Sequence, residues 1–289
     1  MLQQMDSLGR VLAQAQAERV GVGHFNVSDL VGLKAVVEAA RDRRVPVIVG
    51  LSEGERAFIG TREAVALVRS LRDEYELPIF LNADHTHSLA NAIEAAKAGF
   101  DWIVFDLSTL PFAENVRQTR EAVEALKAIR PDVLVEGELG DIGSGSEIHK
   151  GVAVATTLTT AAEARQFVDE TRVDTLAPAV GNMHGMFTAM LDGGIKKRLN
   201  LDRIREIKAA ARVSLTLHGA SGTDDGDLHA SIAAGITVVH INTEIRVAWR
   251  RGLESALANK PREVAPYKIL PDVVNSVKKV IDARLALLT

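Results

Sequence analysis

Residues 213–243, VSLTLHGASGTDDGDLHASIAAGITVVHINT, contain the pattern that decides the fold. An apolar, β-branched run at 213–218 is followed by small and polar residues and by a helical pattern at about 224–234. Gly235 then leads into a second apolar run at 238–242. Short apolar runs that alternate with longer amphipathic stretches are typical of βα units in a parallel sheet. The stretch therefore predicts a strand, a helix and a second strand parallel to the first.

The same alternation occurs eight times along the chain. Strand-like runs lie at 20–25, 45–51, 78–84, 102–107, 133–139, 175–180, 213–218 and 238–242. Helical patterns lie at about 29–43, 60–76, 88–98, 113–130, 160–171, 202–211, 224–234 and 244–258. An open doubly wound sheet usually has fewer strands and a Gly-rich dinucleotide turn after the first one, and no G-x-G-x-x-G motif follows a strand here. We therefore predict an α/β fold, a (β/α)₈ TIM barrel.

Two helical segments lie outside the eight units. We expect the first, at about 6–18, to cap the N-terminal end of the barrel. Its apolar face contains Leu8, Val11, Leu12 and Ala15. The second, near 271–287, has an apolar stripe that needs either the barrel exterior or a second subunit as its partner, and a homodimer or homotetramer would supply the latter. Residues 1–289 are expected to form one domain, with the barrel at about 20–258 and a C-terminal helical extension at about 259–289.

Composition and charge narrow the class of protein. The 289 residues include 34 Lys and Arg and 38 Asp and Glu, a formal net charge of −4, so a nucleic-acid-binding surface or a polybasic membrane patch is not expected. The chain shows neither a signal-peptide pattern nor an apolar run of membrane-spanning length, so we expect a cytoplasmic protein. It also contains no cysteine, so any metal site must use histidine and carboxylate ligands.

Histidines follow three of the predicted strands at their C-terminal ends, where (β/α)₈ barrels place their reacting groups. His85, His184 and His218 follow strands 3, 6 and 7 and would meet at one mouth. Three neutral imidazoles with an open coordination position form a catalytic Zn²⁺ site, and Glu138 could be a fourth or alternate ligand. The alternative is that each histidine bonds only to its own loop.

Loops at the same end of the barrel are suited to bind substrate. Many barrels bind phosphate in the loops after strands 7 and 8, through backbone N–H groups and small hydroxyls. In this chain those loops contain residues 219–222 and Asn242 with Thr243. Residues 140–151 form a long loop rich in Gly and Ser. This loop is either a solvated connection or a lid that brings Glu147 over the substrate.

Taken together, these motifs resemble the class II, metal-dependent ketose-bisphosphate aldolases, which include fructose-1,6-bisphosphate and tagatose-1,6-bisphosphate aldolases. The resemblance extends over nearly the whole chain. It rests on Asp84-His85, Asp106-Leu107-Ser108, Glu136-Gly137-Glu138, Gly181-Asn182-Met183-His184-Gly185 and His218-Gly219-Ala220-Ser221-Gly222.

The resemblance implies a role for each polar residue at the barrel mouth. The implied metal ligands are His85, His184, His218 and Glu138, with Asp106 near an alternate metal position. Asp84 is implied as the catalytic acid and base, and Glu147 as the residue that exchanges the second proton. The implied substrate and phosphate contacts are Asn26, Ser52, Gly185, Gly219, Ser221, Asn242 and Thr243. One Zn²⁺ per subunit is implied, and whether a monovalent cation is also needed stays open.

The implied reaction is the reversible cleavage of fructose 1,6-bisphosphate to dihydroxyacetone phosphate and glyceraldehyde 3-phosphate, a step of glycolysis and gluconeogenesis. A Schiff-base route would need a lysine inside the barrel, and none of the eight strand-like runs contains one. Tagatose 1,6-bisphosphate or another ketose phosphate is the alternative substrate. A non-catalytic accessory subunit and a metal-dependent isomerase or epimerase are the alternative functions. Thr188 and His240 depart from the Lys and Asn that the family often has there, and structural roles are favoured for His24 and His240.

Overall fold

The computed structural model describes residues 7–140, 142–143, 145–150, 157–191 and 194–289. The strands in this part of the chain are β1 (Val22–Asn26), β2 (Val47–Leu51), β3 (Ile79–Thr86), β4 (Trp102–Phe105), β5 (Leu134–Leu139), β6 (Ile148–His149), β7 (Thr175–Pro178), β8 (Met186–Phe187), β9 (Ser214–Leu217) and β10 (Ile236–Ile241). Eight of them form a closed barrel in the order β1-β10-β9-β7-β5-β4-β3-β2, and every neighbouring pair is parallel. The predicted (β/α)₈ architecture is confirmed.

Helices connect the strands and surround the barrel. They are α1 (Leu8–Glu18), α2 (Leu30–Arg43), α3 (Glu53–Ile59), α4 (Thr61–Tyr75), α5 (Leu89–Ala98), α6 (Phe112–Ile129), α7 (Ala161–Thr171), α8 (Thr188–Leu191), α9 (Leu201–Ala211), α10 (Asp225–Ala234), α11 (Thr243–Asn259) and α12 (Pro266–Leu288). Among the residues that the structure describes, none of these helices is long and apolar enough to cross a membrane.

One helix after β2 is absent from the sequence prediction, which has a single helix at 60–76. The structure contains α3 as well, and this helix begins with a capping box. The Ser52 hydroxyl accepts a hydrogen bond from the Glu55 N–H, and the Glu55 carboxylate accepts one from the Ser52 N–H. Because α3 has only seven residues, its apolar periodicity is too short to recognise, and Gly60 separates it from α4.

Helix α1 closes the N-terminal end of the barrel, as predicted, although residue 6 of the predicted segment lies outside the described residues. The buried residues of this plug are Leu8, Val11, Leu12 and Ala15 from α1, with Val22, Ile48, Phe80, Trp102 and Val238 from the barrel. Burial of these side chains away from water stabilises the barrel floor. The opposite, C-terminal end of the strands therefore remains the open one.

Helix α12 packs against the barrel exterior. Of the two partners that the sequence allows for the C-terminal apolar stripe, the structure shows this one. Val273, Val277 and Ile281 are fully buried in the main core. The helix begins at Pro266, earlier than the predicted start, and proline is favoured at a first helical position because its missing N–H would have no partner there. Arg284 then ties α12 to the C-terminal end of the barrel by hydrogen bonds to the Glu244 carboxylate at 2.6 and 2.9 Å.

Candidate active site

The C-terminal ends of the strands surround one open cavity. Its lining includes Ser52, Asp84, His85, Asp106, Glu147, His184, Asn242 and Arg246. An adjoining inner pocket is lined in part by Asn26, Gly185, Gly219, Ser221, His240 and Thr243. Glu138 and His218 lie beside His85 and His184. The structure therefore brings every residue that was predicted for the site to one end of the barrel.

Strand β3 supplies two adjacent residues to this cavity. In a regular strand, neighbouring side chains point to opposite faces. His85 instead has a φ of 40°, and the pairing of β3 with β4 shifts register between Ala83 and Thr86. This irregularity lets Asp84 and His85 line the same cavity. A left-handed backbone at a residue other than glycine is a strained feature that clusters at functional sites.

Four side chains form a compact cluster of metal-binding type. One ligand atom from each of His85, Glu138, His184 and His218 lies within 4.8 Å of the others. Among the described residues, His184 Nε2, His218 Nδ1 and Glu138 Oε2 are buried and have no hydrogen-bond partner, although His218 Nδ1 and Glu138 Oε2 are 2.9 Å apart. Buried polar atoms are rarely left unpaired. Three imidazoles and a carboxylate with free lone pairs at one point fit a divalent ion such as Zn²⁺.

The second nitrogen of each histidine in the cluster has a partner that fixes the ring. The pairs are His184 Nδ1 with the Gly143 carbonyl oxygen at 2.7 Å, His218 Nε2 with Glu136 Oε1 at 2.7 Å, and His85 Nδ1 with Asp106 Oδ2 at 2.8 Å. A carbonyl or carboxylate oxygen only accepts, so each of these nitrogens carries the proton. This carboxylate or carbonyl support is typical of histidines that bind metal. Asp106 lies beside His85 in this arrangement, and its predicted place near an alternate metal position stays a prediction.

The charges in the cluster are strongly coupled. Burial and the neighbouring histidines lower the pKa of His184 to about 3. Burial also opposes the charge on His85 and His218, but the adjacent carboxylates outweigh it. They raise the pKa of His85 to about 9 and that of His218 well above its ordinary value. A metal ion bound here would therefore compete with protons for His85 and His218.

Asp84 lies next to the cluster with one oxygen held and one free. Its Oδ2 accepts a hydrogen bond from Asn26 Nδ2 at 2.9 Å. Its Oδ1 is buried without a hydrogen-bond partner, 3.8 Å from His85 Nε2 and 3.5 Å from His240 Nδ1. Burial opposes ionisation, but these two histidines outweigh it and hold the pKa of Asp84 well below its usual value. Asp84 is thus a carboxylate with a free oxygen available to accept a proton.

The two histidines for which structural roles were favoured behave differently. His24 is fully buried, and its Nε2 lies 3.0 Å from Asn82 Oδ1. Its ring stacks on that of His240 at 3.5 Å, and His240 in turn stacks on His218 at 4.1 Å. His24 is therefore a core residue, whereas His240 belongs to the site because it lines the inner pocket beside Asp84.

The loops after β7 and β9 approach each other through their backbones at the predicted phosphate site. Gly219 has a φ of 59°, and a Cβ atom there would lie 2.3 Å from the Met183 carbonyl oxygen, so only glycine fits. The Ser221 hydroxyl accepts hydrogen bonds from the N–H groups of Asn242 and Glu244 at the start of α11. A helix N-terminus beside a glycine-rich loop is suited to hold an anion.

Glu147 is exposed at the cavity rim, on the loop that follows β5. The Met186 N–H donates a hydrogen bond to the Glu147 carbonyl at 2.9 Å, and β6 pairs with β8 directly beyond it. A Cβ atom at Gly185 would lie 2.6 Å from the same carbonyl oxygen, so the loop rests closely on the backbone there. Thr188 donates to the His149 carbonyl at 3.3 Å. Asp141, Ser144 and residues 151–156 lie outside the described residues.

The sequence prediction does not contain an ion pair beside the cavity, between Glu55 and Arg246. Glu55 is buried and accepts hydrogen bonds from Asn26 Nδ2 at 2.9 Å and from Arg246 Nη2 at 2.8 Å. Arg246 also donates to the Ser146 carbonyl and lines the cavity beside Ser52. Arg246 comes four residues after Asn242, one helical turn along α11, and that spacing is the signal that could have indicated it.

Comparisons with known proteins agree with this geometry. A family profile described as class II fructose-bisphosphate aldolase matches residues 6–289. The chain is 32% identical to a probable fructose-bisphosphate aldolase of Bacillus subtilis, over 96% of this chain and 95% of that protein. Among solved structures, the YdjI aldolase of Escherichia coli is 26% identical with a TM-score of 0.82, and the alignment covers 98% of this chain and 96% of that one. A putative fructose-1,6-bisphosphate aldolase from Coccidioides immitis has the same TM-score and identity, with 99% and 97% covered.

Proposed function

The chain belongs to the class II fructose-bisphosphate aldolase family and is therefore a lyase, and from this premise we propose that it is a Zn²⁺-dependent enzyme acting on fructose 1,6-bisphosphate. It would cleave this sugar reversibly to dihydroxyacetone phosphate and glyceraldehyde 3-phosphate. The observation that carries the proposal is the four-residue cluster with free ligand atoms, placed directly beside the free oxygen of Asp84.

His85, His184, His218 and Glu138 are the residues that would hold the ion. Bound there, Zn²⁺ supplies a Lewis acid that stabilises negative charge on a substrate oxygen. Three neutral nitrogens and one carboxylate would leave a bound divalent ion with a net positive charge. The partners of the second ring nitrogens keep the histidines oriented before the ion arrives.

Asp84 and Glu147 would move the two protons of the reaction. In the cleavage direction, Asp84 Oδ1 accepts the proton of the C4 hydroxyl. The C3–C4 bond then breaks, the C4 oxygen becomes the aldehyde carbonyl, and the bonding electron pair stays on C3. A proton from Glu147 completes the new C–H bond at C3. Asn26 holds the other oxygen of Asp84 at 2.9 Å and so orients the free one.

The two phosphates would bind at opposite sides of the metal cluster. Gly185, Gly219, Ser221, Asn242 and Thr243 line the inner pocket and offer backbone N–H groups and hydroxyls to one of them. Ser52 and the guanidinium of Arg246 lie on the rim of the outer cavity and are suited to the other. A guanidinium recognises phosphate through two parallel N–H donors, although Arg246 must share these with Glu55.

Lysine chemistry is not supported as an alternative route. None of the eight barrel strands contains a lysine. Lys197 is buried, but its ammonium donates to backbone carbonyls of the loops after β7 and β9. The Lys197 nitrogen is therefore held by hydrogen bonds to these carbonyls and is not available to form a Schiff base.

A cleavage assay with both candidate sugars tests the proposal. Zn²⁺-loaded protein is expected to cleave fructose 1,6-bisphosphate faster than tagatose 1,6-bisphosphate, to lose activity with a chelator and to regain it with Zn²⁺. Borohydride with substrate is expected to leave the activity unchanged. Faster cleavage of tagatose 1,6-bisphosphate would identify that sugar as the substrate in place of fructose 1,6-bisphosphate. Activity that survives metal removal would overturn the metal mechanism. No cleavage of either sugar by metal-loaded protein would favour the accessory or isomerase functions. The homodimer or homotetramer, the single domain and the cytoplasmic location remain predictions.

A further inference from the structure

The buried lysine of the loop after α8 has an unusual set of partners. The Lys197 side chain is 5% exposed, and its Nζ lies 2.6 Å from the Met183 carbonyl oxygen, 2.5 Å from that of Gly185, 3.0 Å from that of Gly219 and 2.6 Å from that of Ser221. All four partners are neutral main-chain oxygens. Rings of carbonyl oxygens that replace a hydration shell are the structure with which proteins bind monovalent cations.

The number of oxygens fits a spherical ion better than it fits a lysine. An ammonium group has three N–H bonds, so the four carbonyls cannot each receive a hydrogen of their own. The acidic group that acts on the ammonium, Glu244, is already bound by Arg284 at 2.6 and 2.9 Å. Burial lowers the pKa of Lys197 to about 7. The four carbonyl oxygens oppose this change, because they only accept hydrogen bonds and therefore favour the protonated form.

The four oxygens come from the two loops that hold the candidate metal ligands. Met183 and Gly185 flank His184, and Gly219 and Ser221 follow His218. Carbonyl oxygens that converge on one point repel each other unless a cation lies between them. The cation at this point therefore keeps the two loops together, and it lies directly behind the residues that would bind phosphate.

We propose that Lys197 is a built-in cation, whose ammonium takes the place of a bound monovalent ion at this carbonyl cage and so positions the two loops. Lys197 is a positioning residue, because it touches the loops and not the cavity. The backbone of Lys197 is itself fixed, since its N–H donates to the Gly222 carbonyl at 2.9 Å and its carbonyl accepts from the Asp224 N–H at 3.0 Å. The protein is therefore expected to work without K⁺, Na⁺ or NH₄⁺.

The test removes the lysine and supplies ions in its place. Lys197→Ala empties the cage and leaves room for an ion, whereas Lys197→Met removes the charge but keeps the side-chain bulk. Lys196→Ala removes the same charge from the exposed neighbour and is the matched control. Each protein, loaded with divalent metal, is compared in KCl, NH₄Cl and choline chloride of equal ionic strength. The melting temperature and the KM for fructose 1,6-bisphosphate are measured.

Wild type and Lys196→Ala are expected to behave alike in all three salts. In choline, Lys197→Ala is expected to melt several degrees lower and to show a KM higher by on the order of tenfold, since buried carbonyls have lost their partner. K⁺ or NH₄⁺ should restore both values for Lys197→Ala, as a ligand that binds the folded state does, and should not restore Lys197→Met.

Three results would overturn the proposal. The first is a wild type whose melting temperature depends on K⁺. The second is a Lys197→Ala protein that matches wild type in choline. The third is a Lys197→Ala protein that no cation restores, including one that stays unfolded in every salt. The KM measurement rests on the proposed function, whereas the melting temperature needs no substrate. If only the proposed substrate is wrong, the melting temperatures still follow the expected pattern; if the role of Lys197 is wrong, they do not.

Discussion

Glu136 allows a direct test of whether a buried hydrogen-bond acceptor orients a candidate metal ligand. It is fully buried and does not line the cavity. Its Oε1 accepts a hydrogen bond from His218 Nε2 at 2.7 Å. Its Oε2 accepts from the hydroxyls of Thr175, at 2.7 Å, and Thr216. The Thr175 hydroxyl also accepts a hydrogen bond from the Trp102 indole at 3.2 Å. Thr175 must therefore donate to Glu136, and Glu136 must accept at both oxygens.

Glu136→Gln keeps the size of the side chain but replaces one acceptor with an NH₂ donor. The amide oxygen has to face the two threonine donors, so the NH₂ group faces His218 Nε2. That nitrogen must then accept, so the one proton that the imidazole would keep when a metal binds lies on Nδ1, the atom that faces Glu138 in the cluster. A nitrogen that carries a proton cannot bind a metal ion.

The expected cost follows from the bond that is lost. A hydrogen bond to a charged group contributes about 1.5–3 kcal/mol, and about 1.4 kcal/mol corresponds to a tenfold change in affinity. Zn²⁺ affinity should therefore fall on the order of 10- to 100-fold, as is usual when the support of a ligating histidine is removed. The assay is a Zn²⁺ titration against a competing chelator, with circular dichroism to show that the fold is intact.

Thr216→Val is the matched control for this variant. It removes one donor to Glu136 Oε2 and leaves the contact with His218, so Zn²⁺ affinity should change much less than in Glu136→Gln. A folded Glu136→Gln protein that binds Zn²⁺ as tightly as wild type would refute the reasoning, because His218 would then need no acceptor behind it.

Three further predictions concern catalysis, protons and phosphate. Asp84→Asn should lower kcat by roughly 10²- to 10⁴-fold while Zn²⁺ binding persists, and a kcat near that of wild type would exclude Asp84 as the base. Because the adjacent carboxylates raise the pKa values of His85 and His218, Zn²⁺ binding should release protons and strengthen as pH rises. Calorimetry in buffers of different ionisation enthalpy measures this, and a buffer-independent enthalpy would contradict it. Arg246→Met should raise the KM for fructose 1,6-bisphosphate about tenfold or more, whereas Arg250→Met, one helical turn away and paired with Glu254, should not; equal KM values would place the phosphate elsewhere.

The sequence predicts the barrel and the location of the site because both depend on rules that act along the chain. Alternating patterns place eight strands, and strand ends in a barrel meet at one mouth. His85, His184 and His218 are far apart in sequence, and the structure brings ligand atoms of all three within 4.8 Å of each other. What the alternation rule cannot predict is the irregular backbone at His85, since a regular strand would turn Asp84 and His85 to opposite faces.

The residues behind the site are harder to predict, because their meaning depends on contacts between distant segments. Nothing in the sequence distinguishes Lys197 from Lys196, yet one is buried among four carbonyl oxygens and the other is exposed. Glu55 lies on a helix too short to show periodicity, and its partner Arg246 comes 191 residues later. Such pairs are set by tertiary packing, which no local pattern records.

The position of these cations would explain how a chain of net charge −4 binds the doubly phosphorylated sugar that we propose as its substrate. Arg246 pairs with the Glu55 carboxylate and places a guanidinium at the rim of the outer cavity. The Lys197 ammonium lies behind the inner pocket, where low dielectric strengthens its field on an anion. A metal ion in the cluster would lie between the two. The net charge of the chain does not reveal such local charges. Because Lys197 and the metal cluster are buried, salt should weaken substrate binding less than it would on an exposed basic surface.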